Sequence, residues 1–138
     1  MVTLVAAAVL LVALDQSTKA LAVSGALGRG GVSLGPIEIR PVLNHRAFPG
    51  PLRSPAALGA LWVVLVAVLG AAVQLGPFFQ SPVASVAIGA AVGGAGSNLV
   101  DRLWRHAVVD LVDLRVWPVF NLADVGIVVG AATALLYL

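Results

Sequence analysis

Four long apolar stretches, separated by polar or glycine- and proline-rich segments, most constrain what this chain can fold into. The clearest covers residues 56–75, which contain no charged side chain and end before Gly76 and Pro77. A helix of about 20 apolar residues matches the thickness of a bilayer's hydrocarbon core. With 10% charged and 60% hydrophobic residues, the chain is also too apolar for an ordinary soluble domain. Lipid is therefore the expected solvent for most of it.

Three further apolar stretches complete the pattern and lie at residues 2–23, 83–100 and 119–138. The length suits a single domain over residues 1–138. Short links between consecutive stretches predict an all-α membrane protein with four transmembrane helices in up-down-up-down order. The third stretch contains Gly89, Gly93 and Gly94, and such small residues let neighbouring helix backbones approach closely in a membrane.

The longest connecting segment, residues 24–54, is rich in glycine and proline, which break helices and favour turns. We expect it to form an extramembrane loop. Within it, residues 32–42 show short apolar alternation, which predicts one or two brief strands after the first helix. An even number of crossings puts this loop and the polar segment 101–118 on one side of the membrane, and both termini on the other.

The residue types that the sequence lacks limit its chemistry. It has no cysteine, which excludes thiolate nucleophiles, disulfides and cysteine-containing metal sites. Its net charge of +2 is spread without a basic run and does not indicate a nucleic-acid partner. His45 and His106 lack the spacing of a zinc-binding HExxH helix. We therefore expect chemistry from carboxylates, hydroxyls, amines or these two histidines, without a metal or another cofactor.

Polar side chains concentrate at one membrane face. The expected topology places all six acidic residues on or near this face, namely Asp15, Glu38, Asp101, Asp110, Asp113 and Asp124. Three amides, Gln16, Asn98 and Asn121, accompany them. Ionisable and amide groups at membrane depth are costly unless they are paired, so their convergence from three helices indicates a functional site.

Asp124 has the most constrained environment of these acids, because it lies about one turn inside the fourth apolar stretch. It either has a partner or stays neutral and bonds to a neighbouring helix. Asn121, three residues earlier, would share its helical face. The partner could be Asp110 or Asp113, which point to opposite faces in a strand and to the same face in a helix. The residues alone leave that choice open.

Two other pairs are interpreted as structural. Asp101 and Arg102 are typical of a helix end anchored at the membrane interface. Asp15 and Lys19 are spaced i,i+4, which favours an ion pair within one helix.

Five short motifs follow one another along the chain: LDQSTK at residues 14–19, NHRAF at 44–48, GGAGSNLVDR at 93–102, VVD at 108–110 and FNLAD at 120–124. Together they resemble the signature of the lipoprotein signal peptidase family, signal peptidase II. Their order and placement agree with that family as well. The resemblance touches all four apolar stretches and both large loops.

The resemblance implies an intramembrane aspartyl endopeptidase of the bacterial inner (cytoplasmic) membrane, with its active site toward the extracytoplasmic face. It would cut diacylglyceryl-modified prolipoproteins just before the lipidated cysteine. Its catalytic acids would be Asp110 and Asp124, which favours Asp110 over Asp113. The supporting or substrate-binding residues would be Asp15, Lys19, Asn44, Asn98, Asp101, Arg102 and Asn121. We expect a monomer in contact with membrane lipid.

Several positions depart from the family pattern. The NHRAF motif is one residue shorter than usual and has Arg46 near an expected glycine. Ser97 stands where a glycine normally precedes the asparagine. His106 replaces another common glycine. The interval from Asp110 to Asp124 is also short. An inactive relative that binds lipidated peptides is therefore an alternative. A proton-coupled transport subunit is another, since buried acids also form proton relays, although the four stretches show no internal repeat.

The positions of the basic residues argue against the membrane orientation that the resemblance implies. All eight lie on the side of the expected site, at Lys19, Arg29, Arg40, Arg46, Arg53, Arg102, Arg105 and Arg115. The positive-inside rule would place that side in the cytoplasm. Because several of these cations belong to the motifs or to the long loop, we give the motifs more weight.

Overall fold

The computed structural model describes residues 1–26, 28, 31–45, 54–75 and 81–137. Within them the helices are α1 (Val2–Val23), α2 (Pro55–Leu75), α3 (Pro82–Trp104) and α4 (Leu122–Leu135). The strands are β1 (Val32–Leu34), β2 (Ile37–Asn44) and β3 (Val108–Asp113). Four helices and a strand region after the first helix agree with the predicted architecture, and β3 adds a strand between α3 and α4.

Apolar helices dominate the structure. Among the described residues, α1 and α3 are each long and apolar enough to cross a membrane, and Pro55–Ala71 and Leu122–Leu135 are shorter apolar segments. Large apolar side chains are exposed on the helices, as at Val9, Val63 and Val128. Helices that are apolar on their exposed faces are typical of a lipid environment.

The third helix is longer than predicted, because α3 continues past residue 100 to Trp104. It begins after Ser81, which caps its first turn, and ends at Arg105. His106 then adopts a φ of 57°, in the left-handed region that favours glycine. The glycine common at this place in the resembled family would therefore suit the backbone better than histidine does.

The fourth helix is shorter than predicted, because α4 begins at Leu122 rather than at residue 119 and ends at Leu135. Asn121 sets its start: the side-chain oxygen of Asn121 accepts a hydrogen bond from the backbone N–H of Asp124 at 2.9 Å. Asp124 consequently lies in the first turn of α4, at the end of the bundle, and not a turn inside the helix.

Small residues let α3 pack closely between α1 and α4, as the glycines of its sequence predict. A Cβ atom added to Gly93 would lie 2.5 Å from the carbonyl oxygen of Ala8 in α1, and one added to Gly94 would collide with the backbone of Ala123 in α4. Backbones this close leave no room for a side chain. The main contact of α2 is with α3, where Trp62 lies against Gly96.

The three strands form one antiparallel sheet in the order β1-β2-β3. The predicted brief strands at residues 32–42 correspond to β1 and most of β2. Because residues 108–113 form a strand, Asp110 and Asp113 lie on opposite faces of the sheet. The strand β3 crosses the end of the bundle, since Val109 and Leu111 pack against Ala22 of α1.

Candidate active site

A fully buried ammonium group lies at the centre of the polar residues. The Nζ atom of Lys19 is 2.6 Å from Asp15 Oδ2, 2.8 Å from Asp101 Oδ2 and 3.0 Å from Asn98 Oδ1, and its side chain is 0% exposed. The three N–H groups of an ammonium thus meet three acceptors. The predicted pair within α1 is present, and Lys19 also joins α1 to α3.

Asp15 connects three helices through its two carboxylate oxygens. Its Oδ1 accepts a hydrogen bond from the backbone N–H of Ala123 in α4 at 2.8 Å. Its Oδ2 accepts one from the hydroxyl of Ser97 in α3 at 2.7 Å, besides contacting the ammonium. The serine that replaces a family glycine therefore adds a hydrogen bond to this buried carboxylate.

Asp101 anchors the end of α3 to the strand that follows it. Its Oδ2 accepts from the backbone N–H of Val109 at 3.1 Å, and its Oδ1 accepts from Gln16 Nε2 at 3.0 Å. The guanidinium of Arg105 forms an ion pair with the same carboxylate and donates to Gln16 Oε1 at 2.9 Å. Asp101 is therefore held by residues other than the adjacent Arg102, which lies half-buried in the last turn of α3. Its anchoring at a membrane interface stays a prediction.

Two asparagines extend the network to the candidate catalytic acids. The Oδ1 atom of Asn98 accepts from Lys19 at 3.0 Å and from Asn121 Nδ2 at 3.2 Å. The Nδ2 atom of Asn98 donates to Asp124 Oδ1 at 2.8 Å. One amide therefore joins the buried cation to Asp124.

Asn121 contacts both candidate acids. Its Nδ2 donates to Asp110 Oδ1 at 2.9 Å, and its backbone N–H donates to Asp124 Oδ2 at 3.1 Å. The expectation that Asn121 shares a helical face with Asp124 is wrong, because Asn121 is the extended residue before α4, with φ −128° and ψ 178°. The two residues are instead joined by a reciprocal capping box.

Asp110 lies on the side of β3 that faces this network and is 3% exposed. Burial, together with the nearby charge of Asp124, raises the pKa of Asp110, while hydrogen bonds from Asn44 and Asn121 act in the opposite direction. The bond from Asn44 Nδ2 to Asp110 Oδ2 measures 2.9 Å. Asp110 is thus positioned to hold a proton to a higher pH than an exposed aspartate.

Asp113 lies apart from these residues, at the outer part of the sheet. Its carboxylate accepts from the backbone N–H of Arg115 at 2.8 Å and from Arg40 Nη2 at 3.1 Å. These bonds hold the pKa of Asp113 below its usual range. The sequence left open whether Asp110 or Asp113 is the partner of Asp124. In the structure Asp110 lies near Asp124, since both bond to Asn121.

A pocket of about 400 Å³ opens beside Asp110. Asn44 and His45 at the end of β2 line one side, and Pro118 and Val119 line another. Asp124 is half-buried. Of the NHRAF motif, residues 46–48 lie outside the described residues, as do Arg29 and Arg53. The pocket gives a small polar group or a water molecule access to Asp110.

Some contributors were not named as site residues from the sequence. Gln16, Ser97 and Arg105 hold the carboxylates of Asp15 and Asp101. The i,i+4 spacing of Asp101 and Arg105 is a signal that could have revealed that pair. The backbone donors of residues 109 and 123 have no sequence signal, because every residue except proline supplies an N–H group.

Comparisons with known proteins identify the family of the chain and its fold. The family described as Signal peptidase (SPase) II matches residues 7–138. The lipoprotein signal peptidase of Pelotomaculum thermopropionicum is 39% identical over 93% of this chain and 84% of its own length. That of Caulobacter vibrioides is 40% identical over 95% and 83%. A solved bacterial membrane enzyme, 24% identical, has the same fold with a TM-score of 0.79 over 99% of this chain and 92% of its own.

The chain belongs to the signal peptidase II family. It is therefore a peptidase, and its polar network is the candidate active site of a signal peptidase II. The match extends through all four helices and the sheet. The family motifs named from the sequence meet at one end of the bundle in the described residues.

Replacing Lys19 by methionine tests whether the buried ammonium holds the helices together. Lys19→Met leaves Asp15 and Asp101 without the cation between them, and removing one partner of a buried ion pair costs about 3–5 kcal/mol. Thermal unfolding in detergent should show this loss. Arg40→Met is the matched control, because Arg40 is in an exposed pair worth about 1 kcal/mol or less. Equal losses in the two variants would contradict the central role of Lys19.

Proposed function

We propose that this peptidase is an aspartyl endopeptidase that removes signal peptides from diacylglyceryl-modified prolipoproteins, cutting just before the lipidated cysteine. One observation carries the proposal: Asp110 and Asp124 are both hydrogen-bonded to Asn121, at the end of an apolar helix bundle. Two close carboxylates share one proton, which is the requirement for aspartyl protease chemistry. The names of the relatives supply the substrate class.

The reaction requires one protonated and one ionised carboxyl group. Asp124 accepts hydrogen bonds from Asn98 and from the backbone N–H of Asn121, and we assign it the ionised role. Burial raises the pKa of Asp110, so we assign it the protonated role. Asp124 would take a proton from water as the water oxygen attacks the scissile carbonyl carbon, while Asp110 donates its proton to the carbonyl oxygen. Collapse of the tetrahedral intermediate breaks the C–N bond, the proton on Asp124 passes to the leaving nitrogen, and Asp110 recovers its proton from the hydroxyl.

The remaining residues hold this pair in place. Lys19, Asp15 and Asp101 fix the helix ends, Asn98 and Asn121 orient the carboxylates, and Asn44 orients Asp110 from the sheet. Because each is held by further partners, the pair is preorganised before a substrate arrives. We assign the pocket at Asp110 to the peptide segment that is cut.

Asparagine variants of the pair test the catalytic assignment. Asp110→Asn and Asp124→Asn keep the size of each side chain but cannot share a proton, so the cleavage rate should fall at least about a hundredfold. Cleavage of a diacylglyceryl-modified precursor by the purified protein measures the rate. Asp113→Asn is the control on the opposite face of β3 and should cleave normally. Cleavage at the normal rate by either asparagine variant would contradict the assignment. If the unchanged protein binds the precursor without cleaving it, the chain is instead an inactive relative.

Removing Asn44 should shift the pH dependence of cleavage in a known direction. Asp110 must carry a proton in the proposed reaction, so the cleavage rate should fall as the pH rises through the pKa of Asp110. The hydrogen bond from Asn44 lowers that pKa, so Asn44→Ala should move the alkaline limb of the pH profile upward. Glu38→Gln removes a charge from the same strand away from Asp110 and should leave the limb in place. A downward shift in Asn44→Ala would contradict the proton assignment.

We place four crossings in the bacterial inner membrane, with the active site on the extracytoplasmic side. The apolar stretches of the sequence and the polar bundle end support this arrangement, in which the lipid chains of a substrate stay in the bilayer near the pair. The eight basic residues on the site's side argue for the reverse orientation. Protease accessibility of tags at the two termini tests it: both should be protected in spheroplasts, and cleavage of the tags would overturn it. We also expect a monomer, enclosed by membrane lipid.

A further inference from the structure

The segment between β3 and α4 exposes large apolar side chains that the proposed mechanism does not use. Val116 is 90% exposed and Trp117 is 67% exposed. They belong to residues 114–118, which connect the strand of Asp110 with Asn121 and α4. Neighbouring exposed apolar side chains of this size indicate a contact with a membrane or a protein.

The exposure is fixed by the turn that precedes it. The Oδ1 atom of Asp113 accepts a hydrogen bond from the backbone N–H of Arg115 at 2.8 Å, an Asx turn. Arg115 has a φ of 61°, and its guanidinium lies 3.9 Å from Glu38 Oε2 in β2. These contacts tie the start of the segment to the sheet, so Val116 and Trp117 are held outward.

The position of β3 places this segment beside the helix ends. Leu111 and Val112 of β3, Leu21 of α1 and Val125 of α4 line one apolar cavity of about 380 Å³. Because Leu111 also packs against Ala22 in the last turn of α1, the strand lies against the end of the bundle. The segment that follows it leads within a few residues to the start of the apolar helix α4 at Leu122. Tryptophan is enriched near the ends of apolar helices in membrane proteins.

We propose that residues 114–118 are a membrane anchor loop, whose Val116 and Trp117 side chains insert into the boundary between phospholipid headgroups and acyl chains. The half-exposed guanidinium groups of Arg115 and Arg40 beside the loop suit the phosphates of those headgroups. The inference rests on the membrane location that we propose and not on the peptidase reaction.

The anchor loop also fixes the depth of the active site. It lies between Asp110 and Asn121 in the chain, and Pro118 at its end lines the pocket beside Asp110. Because Phe120 pairs with Val112, the loop closes onto β3 and moves with it. Insertion of the loop therefore sets the height of the aspartate pair relative to the bilayer surface, where the cleavage site of a lipid-linked substrate lies.

Depth-dependent quenching of tryptophan fluorescence tests the insertion. The chain has three tryptophans, so Trp62→Phe with Trp104→Phe leaves Trp117 as the reporter. The protein is placed in phosphatidylcholine bilayers with bromine near the headgroup or near the methyl ends of the acyl chains. We expect stronger quenching of Trp117 by the shallow bromine. A protein that retains only Trp62, within α2, should respond more to the deep bromine.

Two results would overturn the anchor loop. One is quenching of Trp117 by aqueous iodide and by neither brominated lipid. The other is an emission shift that follows protein concentration rather than lipid, because a second copy of the chain would then cover the loop. Neither result depends on cleavage, so failure of the anchor is distinguishable from failure of the proposed function.

A kinetic comparison tests the effect on depth. Val116→Ser combined with Trp117→Ser should raise KM about tenfold for a precursor embedded in the same bilayers, equivalent to about 1.4 kcal/mol. The value of kcat should change little, and KM for a precursor in detergent should stay unchanged. Val32→Ser at the edge of the sheet is the control. An equal effect in bilayer and detergent, or none in either, would contradict a role of the loop in depth.

Discussion

The buried ammonium of Lys19 is the interaction on which the rest of the active site depends. A cation enclosed by apolar helices is costly unless its donors are all satisfied, and Lys19 meets Asp15, Asp101 and Asn98. These partners come from α1 and α3, so the ion pairs also fix how the two helices align. Among the described residues, no buried side-chain nitrogen or oxygen lacks a hydrogen-bond partner. The network is therefore complete, which is the condition for a polar cluster to specify one arrangement.

This arrangement determines where the aspartate pair lies. Asp15 holds the backbone of Ala123, next to Asp124, and Asn98 holds the Asp124 carboxylate itself. Asn121 then reaches from the start of α4 to Asp110 in the strand. Each of these hydrogen bonds joins two chain segments that further hydrogen bonds or ion pairs also hold in place. The pair consequently does not depend on flexible side chains for its geometry, which favours catalysis without reorganisation.

Sequence patterns predicted the apolar helices and the acids, but not the geometry at the helix ends. The length of the fourth apolar stretch suggested a start at residue 119, whereas the Asn121 cap delays it to Leu122 and brings Asp124 to the surface of the bundle. Periodicity could not choose between Asp110 and Asp113, because that choice needs the strand pairing of β3 with β2. Family motifs favoured Asp110, and the contacts from Asn44 and Asn121 show the physical difference between the two.

In the proposed mechanism Asp110 and Asp124 share one proton, and the charge balance of the network supports this. The ammonium and the Arg105 guanidinium oppose the carboxylates of Asp15 and Asp101, so these four groups are neutral together. No cation among them remains to neutralise a second charge on the pair. Two ionised carboxylates bonded to Asn121 would repel each other at low dielectric, and sharing one proton removes that repulsion. The neutrality of the network therefore suits the proposed chemistry, because an additional cation beside the pair would favour two ionised acids and leave no proton for the carbonyl oxygen.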